Sequence, residues 1–109
     1  MAEPLRIGIT GCAGRMGRML LKATLQNSDF RLVGGTVRPG HVAAGKDLGS
    51  LLAGPDLGLD IMTELKALIP HVDVVIDFSS PEASLYHADL AAAGKVPLVV
   101  GTTGLNKAQ

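Results

Sequence analysis

The sequence predicts an α/β fold: an open, doubly wound parallel sheet with helices on both faces. Three observations carry that reading. Apolar runs of strand length alternate with helical periodicity in the order β-α-β, an irregular stretch, then β-α-β. A glycine-rich turn joins the first strand directly to the first helix. The later run Val72 to Phe78 is β-branched, as suits a strand buried inside a parallel sheet. At 109 residues the chain is long enough for one domain.

Leu5 to Thr10 reads as the first strand, stopped by Gly11. Helical spacing follows from Arg15 to Asn27. Met16, Leu20 and Ala23 form an apolar face, and Arg15, Arg18, Lys22 and Gln26 a polar one. Phe30 to Val37 is the second strand, in which Gly34 and Gly35 weaken the strand or admit a close neighbour. Arg38-Pro39-Gly40 ends it, and glycines and prolines punctuate residues 38 to 60. A helical turn is expected over Asp47 to Leu52, and another over Met62 to Ile69 with Thr63 as cap and Lys66 in its last turn. After the Val72 to Phe78 strand, Ser79 and Glu82 have capping-box spacing; alternatively Ser80 caps a helix with Pro81 at its first position. Ala83, Tyr86, Leu90 and Ala93 give that helix an apolar face, and Gly94 ends it. Val96 to Val100 is the next strand, followed by Gly101-Thr102-Thr103-Gly104. Leu105 to Gln109 reads as the first turn of a further helix, so residues 1–109 are expected to be an incomplete N-terminal domain of a longer protein.

Composition narrows the partners. Ten basic and ten acidic residues cancel, which gives no electrostatic reason for nucleic acid or an anionic membrane. Phe30, Phe78 and Tyr86 are the only aromatics, too few for a base-stacking platform. A single cysteine excludes an internal disulfide. Met1 to Pro4 runs straight into a strand, and no apolar run approaches the ~20 residues of a membrane span. A cytoplasmic location is expected.

Gly11-Cys12-Ala13-Gly14-Arg15-Met16-Gly17 is the most informative string. Between strand and helix, such a loop lets main-chain amides and the positive end of a helix approach a phosphate. Its spacing departs from G-x-G-x-x-G, with Ala13 where the middle glycine would stand. The alternative is a tight turn that needs glycine only for its backbone angles. Arg15 and Arg18 in the first turn oppose the helix dipole, which a bound anion would reverse; otherwise they are a solvated basic face. About 20 residues past the loop, an NAD site usually places an acid for the ribose hydroxyls. Here Thr36-Val37-Arg38 stands instead. Arg38 suits a 2′-phosphate, so NADPH is expected over NADH, unless Arg38 is merely a turn residue before Pro39. Asp77-Phe78-Ser79-Ser80 and Gly101 to Gly104 end central strands, where a nicotinamide and its ribose would fit, although the serines also suit capping. Cys12 reads as a small filler of a tight loop rather than a reactive thiol. His41, His71 and His87 lack metal-ligand spacing and read as surface or loop histidines, and no Ser-His-Asp pattern is visible.

Gly11 to Gly17, Val75-Ile76-Asp77-Phe78-Ser79-Ser80-Pro81-Glu82 and Val100-Gly101-Thr102-Thr103-Gly104-Leu105 together resemble the dihydrodipicolinate reductases (4-hydroxy-tetrahydrodipicolinate reductases) of bacterial lysine and diaminopimelate synthesis. The likeness covers nearly the whole chain but only the first half of a family member. It implies a Rossmann-type domain that binds NADPH or NADH in the reduction of a dihydrodipicolinate-type ring to tetrahydrodipicolinate, within a cytoplasmic homotetramer. Gly11, Gly14, Arg15 and Met16 would hold the pyrophosphate in a cofactor loop that also takes in Cys12, Ala13 and Gly17. Arg38 would lie by the adenosine ribose. Phe78, Ser79, Gly101, Thr102 and Thr103 would line the nicotinamide side, with Thr103 close to substrate. Two departures stand out. The family often has an acid at the place of Val37. Its His-His-x-x-Lys stretch and the following Asp-Ala-Pro-Ser-Gly-Thr are absent, so no catalytic residue and no turnover are expected from these residues alone. The rival readings are another two-domain dehydrogenase, of semialdehyde or homoserine type, and a non-catalytic NAD(P)-sensing module.

Overall fold

The computed structural model describes residues 3–101. Among them are strands β1 (Leu5–Thr10), β2 (Phe30–Thr36), β3 (Ile61–Met62), β4 (Val74–Asp77) and β5 (Leu98–Val100), with helices α1 (Arg15–Leu25) and α2 (Pro81–Ala93). The strands form one parallel sheet in the order β3-β2-β1-β4-β5. The chain winds outward from β1 in one direction, then returns to the other side of β1 through β4. The carboxyl ends of β1 and β4 therefore meet at the point where winding reverses.

Strand β1 feeds apolar clusters on both sides of the sheet. Ile7 and Ile9 pack with Leu21, Leu32, Val37 and Leu48. Between them, Gly8 faces Val72 and Leu68 of a second cluster completed by Leu65 and Val75. This is the period-two alternation of a strand buried on both faces. In β2 the register against β1 slips by one residue: Ile7 pairs with Leu32, but Gly8 pairs with Gly34. The two glycines accept close neighbours, as a β-carbon on Gly34 would lie 2.7 Å from Leu68 and one on Gly35 2.9 Å from the Cys12 sulfur.

Both helices are turned by one residue from the faces expected of their apolar residues. In α1 the buried positions are Gly17, Leu21 and Thr24 rather than Met16, Leu20 and Ala23. Met16 is 52% exposed. The cause is contact at Gly17, where a β-carbon would lie 2.3 Å from the Gly11 carbonyl oxygen and 2.7 Å from the Cys12 Cα. Only glycine lets the helix come this close, and Leu21 and Thr24 follow it inward at helical spacing. In α2 the buried residues are Ser84 and Ala91, while Tyr86, expected inside, is 50% exposed. Here the inward face is polar for a reason described below.

Other boundaries move slightly. The turn expected over Met62 to Ile69 is instead the end of β3 and two 3-10 turns, Leu65–Ala67 and Ile69–His71, with no side-chain cap on either. Thr63 is not a cap, because Ile61 and Met62 extend to pair with Gly35 and Thr36. Of the two capping arrangements, the second is present: Ser80 Oγ accepts from the Ala83 amide at 3.2 Å with Pro81 opening the helix. The Asp47 carboxylate accepts from the Gly49, Leu57 and Leu59 amides, so one side chain gathers much of the irregular segment. No helix among the described residues is long and apolar enough to cross a membrane.

Two alanine substitutions in one loop should separate. Gly17→Ala forces a β-carbon into main-chain atoms, and we expect a loss of about 1–3 kcal/mol in urea unfolding. Gly14→Ala meets nothing closer than 3.6 Å, and its stability should stay near that of the parent.

Candidate functional site

The turn after β1 is tied to three strands. Gly11 has φ +67°, and a β-carbon there would lie 2.5 Å from the Phe78 carbonyl oxygen. The Cys12 amide donates to the Thr36 carbonyl at 3.1 Å, and the Phe78 amide to the Thr10 carbonyl at 3.0 Å. The loop is thus pinned between β1, β2 and β4 before α1 begins. Gly14 is the N-cap, so no side chain caps α1, and its first turn holds no acid. The amides that open a helix have no intrahelical acceptor and carry the positive end of its dipole. Arg15 and Arg18 stand exposed beside them.

A cavity of about 550 Å³ lies over this edge of the sheet. Gly11, Ala13 and Gly14 form its wall by α1, and Phe78 and Ser79 its wall by β4. Arg38, Pro39 and His41 close it beyond β2, with Glu64 after β3 and Tyr86 and His87 from α2. Six residues singled out from the sequence therefore meet at one cavity: Gly11, Ala13, Gly14, Arg38, Phe78 and Ser79. Others sit around it. Arg15 and Met16 are exposed at the head of α1, and Gly17 is buried against Gly11. The Cys12 side chain is fully buried, and burial pushes its thiol up to about 11, as a filler would behave. Gly101 lies against the Phe78 ring at the end of β5. Thr102 and Thr103 lie outside the described residues.

Beneath the cavity is a buried acid. Asp77 ends β4 and is fully buried. Its Oδ1 accepts from the Thr10 hydroxyl, from the Ser79 amide at 3.0 Å and from the Ser79 hydroxyl at 2.5 Å. His87 places Nδ1 3.4 Å from the same oxygen and 3.3 Å from Ser79 Oγ. Burial pushes the Asp77 carboxyl upward, but hydrogen bonding from His87, Ser79, Ser84 and Thr10 overrides it and holds the group far below the ordinary carboxylate range. The expectation that His87 is a surface or loop residue is corrected: it lies on the inner face of α2 with a side chain 12% exposed. Serine, histidine and aspartate do meet here, but Ser79 and Asp77 both address Nδ1. A nucleophile relay needs them on opposite ring nitrogens, so the trio is not one. The signal for it was present in the sequence, since Asp77 interrupts an apolar run and a buried acid demands partners.

Asp77 should make stability depend on acid. Because its folded-state value is depressed, its contribution is present at neutral pH and is lost as pH falls below about 4. Asp77→Asn should cost about 1–3 kcal/mol in urea unfolding at pH 7, where buried donors lose an ionised acceptor. The gap between variant and parent should narrow from pH 5 to pH 2, and a constant gap would contradict the assignment.

Known proteins resemble this chain along most of its length. The family described as "Dihydrodipicolinate reductase, N-terminus" matches residues 5–109. The 4-hydroxy-tetrahydrodipicolinate reductase of Burkholderia multivorans is 41% identical over 105 residues, which is 96% of this chain and 39% of the relative. That of Cereibacter sphaeroides is 41% identical over 108 residues, 99% of this chain and 40% of the relative. The chain thus spans about 40% of the length of the curated relatives it matches. Among solved structures, a dipicolinate-bound dihydrodipicolinate reductase from Paenisporosarcina sp. TG-14 superposes with TM-score 0.69 at 26% identity, covering 96% of this chain and 40% of that one. A probable aspartate-semialdehyde dehydrogenase from Pseudomonas aeruginosa reaches TM-score 0.68 at 18% identity, covering 95% and 30%, a likeness of fold alone. With a family match across nearly its whole length and sequence relatives of one name, the chain belongs to the dihydrodipicolinate reductases, of which it is the N-terminal region.

Proposed function

We propose that this chain binds the nicotinamide cofactor of a 4-hydroxy-tetrahydrodipicolinate reductase. The observation that carries the reading is the uncapped start of α1, set behind a glycine loop at the sheet's winding reversal and opening onto the cavity. Such a site offers unbonded amides and a positive dipole to a diphosphate. A diphosphate fits the loop because nothing crowds Gly14 on its cavity side and no acid opposes it. Gly11, Ala13 and Gly14 would hold this group, with the amides of Arg15 and Met16 behind them, while Cys12 and Gly17 shape the loop from below. Phe78, Ser79, Gly101, Thr102 and Thr103 would receive the nicotinamide side, with Thr103 toward the substrate. The reduced cofactor, when bound, supplies the hydride. The protein residues orient it and exclude water around it.

Support for NADPH over NADH comes from the end of β2. Val37 is a core residue whose amide donates to Met62, and its side chain has no oxygen to accept from ribose hydroxyls. Next to it Arg38 is exposed on the cavity wall, where its guanidinium can pair with a 2′-phosphate. The names of the relatives support a dihydrodipicolinate-type substrate and, with it, a place in lysine and diaminopimelate synthesis; a cytoplasmic setting belongs to the same reading. Under this reading residues 1–109 are the cofactor domain, substrate-binding and acid groups come from elsewhere in the protein, and the assembly is a homotetramer.

Titration with NADPH and NADH at matched ionic strength tests the assignment. Arg38→Ala should weaken NADPH about 10- to 100-fold, the worth of a charge-assisted phosphate contact, and leave NADH nearly unchanged. Equal losses would overturn the 2′-phosphate contact, and a protein that binds neither cofactor would overturn the whole reading.

A further inference from the structure

We infer that His87 is a further cofactor-binding residue, whose Nε2 accepts from a hydroxyl of the ribose beyond the diphosphate while Asp77 and Ser79 fix its ring. The inference rests on the nucleotide-binding reading above. The Ser79 hydroxyl donates to Asp77, so toward Nδ1 of His87 its oxygen can only accept. The ionised Asp77 can only accept as well. Both partners therefore demand a proton on Nδ1, and in that tautomer Nε2 is a bare acceptor. Nothing among the described residues bonds Nε2, although the side chain is 12% exposed. The ring lines the same cavity as Gly11, Gly14 and Ser79, across from the start of α1. Tyr86 sets its own ring against it at 6.0 Å between centroids. A histidine held this way on one edge and open on the other is a built contact rather than packing.

This arrangement also explains why α2 turns a polar face inward. Ser84 and His87 face inward while Leu85 and Tyr86 are exposed. The helix gives up apolar burial there to carry the two side chains to Asp77.

Two substitutions separate binding from support. In His87→Asn the amide stands where Nδ1 does and can still face Asp77, but nothing reaches the cavity. In His87→Gln the amide reaches the place of Nε2. We expect His87→Asn to weaken ADP-ribose about 5- to 10-fold, the worth of one hydrogen bond, with little change in unfolding midpoint, and His87→Gln to recover part of the loss. ADP, which lacks that ribose, should bind variant and parent alike; if ADP weakens in step with ADP-ribose, the contact is not this hydroxyl and the inference fails. Independently of the variants, imidazole nitrogen resonances of His87 in the unmodified protein should shift at Nε2 on saturation with ADP-ribose. Unchanged affinity in His87→Asn or a silent Nε2, with ADP-ribose bound to the parent, overturns this inference alone. Absence of ADP-ribose and cofactor binding by the parent overturns it together with the reading it rests on.

Discussion

One buried carboxylate oxygen organises the cavity edge of the sheet. Thr10 at the end of β1, Ser79 after β4 and His87 on α2 all address Asp77 Oδ1. An ionised group sealed from water is tolerable only when hydrogen bonds replace its solvation. Here the replacement draws on elements that would otherwise be joined only by strand pairing. Thr10 precedes the glycine loop, and Ser79 opens the turn into α2. The charge thus sets the separation of two loops that would face one ligand.

The same edge depends on backbones meeting without side chains between them. Gly11 sits under the Phe78 carbonyl, and Gly17 against the Gly11 carbonyl. Close contact at Gly17 draws the start of α1 in behind the loop, with its N-cap Gly14 on the cavity wall. No side chain caps α1 at Gly14, whereas a capping serine or aspartate would occupy donors that a bound anion would use under the proposed reading.

Much of this was legible in the sequence. The boundaries of β1 and the start of α1 followed from an apolar run cut by Gly11, and the cavity residues by the two central strands followed from the strand–loop–helix order. What resisted reading was the rotation of the helices. Hydrophobic periodicity weighs side chains, whereas α1 is oriented by a residue that has none, and α2 by a polar pair whose partner lies in another strand. Glu64 and Tyr86 were hidden for a related reason. They approach the cavity from elements with no motif, and their mutual contact, with the Tyr86 hydroxyl 3.2 Å from Glu64, spans 22 positions of sequence.

The slip in β2 has a reach beyond its own strand. Val33 and Gly34, though consecutive, both face the Leu68 side of the sheet. In a strand of period two, that extra residue inverts the facing of everything after it. Gly35 thereby meets Cys12, Val37 enters the core, and Arg38 emerges at the rim. Val33 acts as a phase setting for the strand's outer half: were the same sequence to pair without the slip, Arg38 would take the facing that Val37 has now.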